Sequence, residues 1–201
     1  MKTPAQQTDV DIVIEGNRIK SVSPHATSHH TRGQVIDASH MTVMPGLINF
    51  HTHLQPDFGE AQGRAFLAFG VTTVQSPGGV PYEAVEERES SDANLRTGPR
   101  VFSTGHLLEY QRASYKMAIA LSSPAHLEME LQRSKALQFD FLKSYVRLPD
   151  LQQKRVVEFA HSIGIPVTTH EIYPAAFAGV ARLRREALRL RDENLVFAGH
   201  G

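Results

Sequence analysis

The stretch Pro45-Gly46-Leu47-Ile48-Asn49-Phe50-His51-Thr52-His53 decides how the chain is to be read. Pro-Gly punctuates the left end of an apolar run, Leu47 to Phe50, and His-x-His closes it. Along a β-strand, residues i and i+2 point to the same face. His51 and His53 can therefore present two imidazoles side by side at the carboxyl end of a buried strand. That is half of a metal site, because neutral imidazole is a common zinc ligand. A bare His-x-His carries little weight in a chain with 11 histidines, where His29-His30 is the kind of pair that chance supplies. Pro-Gly, apolar strand and His-x-His in succession are far more specific.

On the N-terminal side, Asp11 to Glu15, Gly16-Asn17 and Arg18 to Val22 read as a β-hairpin turning at Gly-Asn. Gln34 to Asp37 and Met41 to Met44 read as two further short strands. His25, His29 and His30 fall in the polar loop between and read as solvated.

On the C-terminal side the rhythm changes to short β-rich runs alternating with helical stretches, the pattern of βα units. Gly59 to Phe69 reads as a helix stopped at Gly70, Val71 to Gln75 as a strand, and Pro81 to Asn94 as a polar helix. Arg100 to Thr104 reads as a strand leading into Gly105-His106. Leu107 to Ser123 is harder to assign, with Tyr115 to Leu121 read as helical. Ser123-Pro124 opens the next helix as an N-cap with proline at the first helical position, and it runs to about Leu137. Phe139 to Val146 is the following strand. Asp150 is expected to cap a helix whose Val156, Val157, Ala160 and Ile163 form an apolar stripe, ended by Gly164 as a left-handed cap. Ile165 to His170 is a strand, Pro174 to Glu193 a long helix with a basic face, and Leu195 to His200 a last strand.

Bulk properties exclude several classes of function. Lys and Arg total 21 and so do Asp and Glu, so no net charge points to nucleic acid or an anionic membrane. The five arginines from Arg182 to Arg191 read as a solvated helix face. With no cysteine, disulfides and thiolate metal sites are ruled out, and a metal would be held by His, carboxylate or a modified side chain. No apolar run approaches the roughly 20 residues of a membrane span. The N-terminus lacks a signal-peptide core, which favours the cytoplasm and leaves the periplasm open. The expected partner is a small-molecule substrate, with neither nucleic acid nor membrane.

PGLINFHTH resembles the first barrel strand of the metal-dependent amidohydrolase superfamily, LKSYVRL its fourth strand and VTTH its fifth. The resemblance implies an α/β fold, a (β/α)8 TIM-type barrel truncated at about six strands, with part of a small N-terminal β-sandwich. Residues 1–46 would be the partial sandwich and 47–201 the partial barrel. Catalytic groups in such a barrel sit at the carboxyl ends of strands. The strand ends here carry His51, His53, Lys143, His170 and His200, and the spacings of 27 and 30 residues along the last three each fit one helix with its loops. These five are the candidate metal ligands. Lys143 would be carboxylated, its carbamate bridging divalent ions, zinc for preference and one or two in number. The competing reading puts Lys143 on the helix side of the strand, reaching solvent along its stem. His170 has a competing reading as a hydrogen-bonded strand end, and His200 as a loop residue. His106 and Tyr145 are the candidates for contacting substrate, with competing readings as a surface-loop histidine and a packed core tyrosine.

The implied reaction is hydrolysis of a carbon–nitrogen bond in an amide, cyclic amide or dipeptide-like compound, by water activated on a metal centre. The lysine site leans toward dipeptidase-like and imidazolonepropionase-like relatives. In the family an aspartate on the eighth strand moves the proton, and no residue here aligns with it. The alternative is a catalytically incomplete remnant that binds metal or oligomerises. Open strand edges favour association, so a homo-oligomer is expected in either case.

Overall fold

The computed structural model describes residues 7–26, 33–113, 115–170 and 195–197. The chain divides into two units, Met1–Met44 and Pro45–Gly201.

The first unit is built on the expected hairpin. Strands β1 (Val10–Glu15) and β2 (Arg18–Pro24) pair antiparallel, with the register shifting between Val13 and Ile14. Gly16 turns the chain at φ 61°, a conformation that costs glycine nothing because it has no Cβ. His25 is not simply solvated, since its Nδ1 lies 2.9 Å from Asp11 Oδ1 and this pairing raises its pKa. His29 and His30 lie outside the described residues. The two strands expected at 34–37 and 41–44 do not form. A strand needs a neighbour for its backbone groups. Here the Ser39 amide bonds Asp37 Oδ1 and the Met41 amide bonds the Ala38 carbonyl, so a local turn takes the place of a ladder. The described part of this unit is a hairpin with an extended tail, without the other strands of a sandwich.

The second unit alternates strands and helices. Strand β3 (Leu47–Asn49) is followed by a 3-10 turn, Pro56–Phe58, and helix α1 (Glu60–Ala68). Strand β4 (Val71–Ser76) leads to α2 (Pro81–Asp92), and then come β5 (Arg100–Ser103), β6 (Leu107–Tyr110) and β7 (Ala118–Leu121). Helix α3 (Pro124–Ala136), β8 (Leu142–Ser144), α4 (Asp150–Ser162), β9 (Val167–Thr169) and β10 (Leu195–Phe197) complete the described elements. The pairs β3–β4 and β4–β5 form a parallel three-stranded sheet, and a second parallel sheet runs β10-β9-β8-β6-β7. Asp140 joins the two. Its amide donates to the Ser103 carbonyl at 3.1 Å, and its Oδ2 accepts from the Ser103 amide at 2.8 Å. The chain segments therefore follow one another in the order β3, β4, β5, β8, β9, β10, the order expected of successive βα units, and these parallel sheets fit part of a TIM-type barrel.

Two expectations are corrected. Tyr115 to Leu121 is not helical, because Ala118 to Leu121 forms β7 beside β6, with Leu107, Leu108, Ala118 and Leu121 all buried. A short apolar run reads alike as buried strand or buried helix, and only its sheet neighbour decides. Nor does Asp150 cap α4. Pro149 occupies that position, and Asp150 lies in the first turn, where its charge favours the positive end of the helix dipole. The 174–193 helix, with its arginines, lies outside the described residues.

The other boundaries follow local chemistry. Ser123 Oγ accepts from the His126 amide at 3.2 Å, satisfying one orphan donor of α3. Ser123→Ala should lower stability by about 1 kcal/mol, measured as a reduced urea midpoint with unchanged slope. Gly164 ends α4 at φ 76°, and the Ile165 amide reaches back to the Ala160 carbonyl at 3.0 Å, which closes a Schellman turn. Gly63 lets α1 approach the 97–98 turn, since a Cβ there would stand 2.6 Å from the Thr97 carbonyl oxygen.

The core lies between α3, α4 and the second sheet. Leu127 and Leu131 of α3 meet Val156, Phe159 and Ala160 of α4 over Leu108, Leu121, Leu142 and Val167. A smaller cluster, Leu107, Ala118, Tyr145 and Val146, lies beside it. Helix α1 has no buried residue, and Leu47, Ile48 and Phe50 stay about half exposed or more, so the sheet that carries β3 is the thinner side of the unit.

Candidate metal centre

The carboxyl ends of β3, β8 and β9 bring together side chains from distant parts of the sequence. Beyond β3 the Thr52 amide still bonds the Gln75 carbonyl at 3.1 Å, so the His-x-His segment continues alongside β4. Asn49 Oδ1 accepts from the His51 amide at 3.0 Å, and Gln62 of α1 donates to the His53 carbonyl at 3.1 Å. The ring centroids of His51 and His53 are 5.4 Å apart, and that of His170, just past β9, is 4.9 Å from His51. Tyr145 continues the chain of rings, 5.4 Å from His170 and 5.8 Å from Tyr115, edge-on in both contacts.

Lys143 lies in the middle of β8, with no exposed surface, and among the described residues its Nζ has no hydrogen-bond partner. Of the two readings of this lysine, the one that sends it to solvent is therefore excluded. Burial holds its amine down to about 7. Lys143 is close enough to His53 to act on it electrostatically. Burial, with this smaller effect of Lys143, holds the His53 imidazole below its ordinary range against the opposing Gly78 carbonyl. His53 Nδ1 lies 3.4 Å from that carbonyl, an acceptor, which favours the proton on Nδ1 and leaves Nε2 with its lone pair.

These donors suit a divalent ion. A metal ligand must be deprotonated, and both the His53 ring and the Lys143 amine are pushed toward their neutral forms. Among the described residues no three His, Cys, Asp or Glu side chains form a ready cage for a metal. Lys143 is the further buried polar group beside His53. His200 lies outside the described residues.

The remaining candidates are placed differently. Tyr145 is buried against His170, and its hydroxyl is held protonated by burial, by Tyr115 and by Glu109. His106 follows β5 but belongs to a separate pair, its Nδ1 3.5 Å from Oε2 of the buried Glu130, which also meets Arg133 at 2.7 Å. A small cleft lined by Leu54, Ser76, Gly78, Glu83 and Ser103 flanks the imidazoles without including them.

Curated relatives match short segments. A dihydroorotase from Solibacter usitatus is 38% identical over 79 residues, 35% of this chain and 18% of that protein. A 5'-deoxyadenosine deaminase from Methanothrix thermoacetophila is 46% identical over 46 residues, 23% of this chain and 11% of that protein. Solved structures match more of the fold. A protein from Bifidobacterium longum assigned as a prolidase is 28% identical with a TM-score of 0.70, over 82% of this chain and 44% of that one. A protein described as an amidohydrolase gives a TM-score of 0.74 at 21% identity, over 90% and 56% of the two chains. A Xaa-Pro dipeptidase with bound methionine in its active site gives 0.66 at 22%, over 85% and 53%. No family model matches the chain. The chain spans about half the length of these solved structures, and the segments matched in the curated relatives are under a fifth of theirs.

The sequence carries one further signal near these rings. Glu109 interrupts the apolar run Leu107-Leu108-Glu109-Tyr110, and a charge inside a buried strand calls for a partner. Tyr115 carries no such signal, since its place is known only from its ring contact with Tyr145.

Proposed function

We propose that the chain carries the metal centre of a hydrolase that cleaves a carbon–nitrogen bond in an amide, cyclic amide or dipeptide-like substrate. His51, His53, Lys143 and His170 would hold the metal, zinc for preference and one or two ions. The observation that carries this reading is Lys143, fully buried and, among the described residues, without a hydrogen-bond partner, with imidazoles clustered just past β3 and β9. When bound, a divalent ion supplies a nucleophilic water at neutral pH and draws electron density from a substrate carbonyl.

The chain's own residues do the rest. An uncharged Lys143 amine can add to carbon dioxide and release a proton, giving a carbamate whose oxygens take the place of a carboxylate ligand. The Gly78 carbonyl fixes the His53 tautomer, and Gln62 anchors the backbone that carries it. Tyr145, with its proton firmly held, is a hydrogen-bond donor for a substrate oxygen. The named activities of the relatives support a hydrolase, and the retained donors weigh against an inert remnant.

The test is turnover by zinc-loaded protein, supplied with bicarbonate, on dihydroorotate, a Xaa-Pro dipeptide and an N-acylamino acid. Activity on one of these should vanish with chelation and fall at least ~100-fold in His51→Ala, more than loss of an outer ligand support usually costs. Turnover indifferent to chelation and to His51→Ala would overturn the proposal.

A further inference from the structure

Helix α1 meets the His-x-His segment through hydrogen bonds rather than through packing. None of its residues is buried, and Leu47, Ile48 and Phe50, in and beside β3, are about half exposed or more. Apolar contacts therefore do little to fix the chain as it leaves β3. Polar contacts take over. The His51 amide is held by Asn49 Oδ1 at 3.0 Å, the Thr52 amide by the Gln75 carbonyl at 3.1 Å and the Leu54 amide by Ser76 Oγ at 3.3 Å. Gln62, on α1, supplies two more bonds by itself. Its Nε2 donates to the His53 carbonyl at 3.1 Å, and its Oε1 accepts from the Gln55 amide at 3.0 Å.

A side-chain amide carries the same donor and acceptor as a peptide group. In an extended segment the carbonyl of one residue and the amide two residues on point to the same side, where a neighbouring strand ordinarily satisfies both. Gln55 is extended, at φ −121° and ψ 114°. Gln62 thus stands in for a strand across residues 53 to 55. The His53 ring is held at its other end, where Nδ1 lies 3.4 Å from the Gly78 carbonyl. Backbone and ring contacts together determine where Nε2, the nitrogen left with its lone pair, points.

We infer that Gln62 is a positioning residue for the metal centre, which aims His53 Nε2 by clamping the backbone on both sides of Leu54 and so sets the affinity for the ion. This rests on the metal-centre reading and adds to it a part for α1. The helix has a second attachment that does not touch the histidines. Glu60 Oε1 accepts from the Thr97 amide at 3.2 Å, and Gly63 approaches the same turn. If Gln62 did no more than dock α1, loosening the helix at Glu60 would disturb the ion as much. A residue that aims His53 has an effect that Glu60 does not share.

The test uses the full chain supplied with zinc, and with cobalt(II), whose visible absorption bands report the geometry of its ligands. Gln62→Met keeps the length of the side chain and loses both bonds. Its zinc affinity, measured by competition with a chelator, should fall at least ~tenfold, the usual cost of removing a group that orients a ligand, and its cobalt bands should shift. Gln62→Glu keeps the acceptor for the Gln55 amide and loses the donor to the His53 carbonyl. Its cobalt bands should shift too, and it serves if Gln62→Met does not fold. Glu60→Ala should leave zinc affinity and cobalt bands as in the parent. Parental bands in a folded Gln62 variant, undiminished zinc affinity in Gln62→Met, or an equal loss in Glu60→Ala would each overturn this inference alone. A parent that binds neither ion overturns the metal-centre reading, and this inference with it.

Discussion

Lys143→Met will make the metal-free protein more stable than its parent at pH 7, and the advantage will shrink as the pH rises. Lysine and methionine are of similar length, and methionine has no charge to bury. The Lys143 amine, held to about 7 in the folded chain, returns to an ordinary 10.5 on unfolding. Below about pH 7 it is charged in both states and the folded protein bears the full cost of burying it. Between about 7 and 10.5 only the unfolded state binds the proton, so the stability of the parent climbs with pH. Above that range both states are neutral and the cost disappears. The variant lacks this dependence. The gap should be on the order of 2–4 kcal/mol at pH 6–7, below what the full displacement implies at about 1.4 kcal/mol per pH unit, and should close toward pH 10. Urea denaturation at pH 6, 7.5 and 9 without bicarbonate measures it. A variant less stable than the parent at pH 6, or a gap that does not move with pH, would contradict a buried, unpaired amine.

Leu131→Ala will cost roughly 2–5 kcal/mol, while Leu67→Ala will cost under about 1 kcal/mol. Leu131 has no exposed surface and sits in the cluster that joins α3, α4 and the second sheet. Close-packed interiors relax only partly around a deleted side chain, so the cavity adds to the lost transfer energy. Leu67 lies on α1, more than a third exposed, with no buried neighbour on its own helix. Denaturant midpoints of the two variants compare the sites directly. Similar small losses at both would mean that the core does not lie where the buried side chains place it.

The fold was legible in the sequence wherever local chemistry acts alone. Ser123-Pro124, Gly164 and the hairpin glycine each fix a boundary through bonds made within a few residues, and the structure has all three. The βα alternation from Leu47 onward was legible for the same reason. What failed depends on a neighbour that sequence does not display. The runs at 34–37 and 41–44 have strand-like residues and no described strand to pair with. Ala118 to Leu121 is a strand only by virtue of its partner β6, which lies eleven residues earlier and has no turn signal to announce the pairing. In the site, His51, His53, Lys143 and His170 could be named from their positions at strand ends. The contact of Tyr115 with Tyr145 could not, because it joins residues 30 apart in the chain and no motif announces it.

The most direct measurement is the metal content of the purified chain, by elemental analysis after supply of zinc and bicarbonate, beside Lys143→Ala and His51→Ala. A centre built from His51, His53, Lys143 and His170 predicts one or two bound zinc ions per chain, lost in both variants while the proteins remain folded. A chain that holds no zinc, or variants that hold as much as the parent, would contradict it.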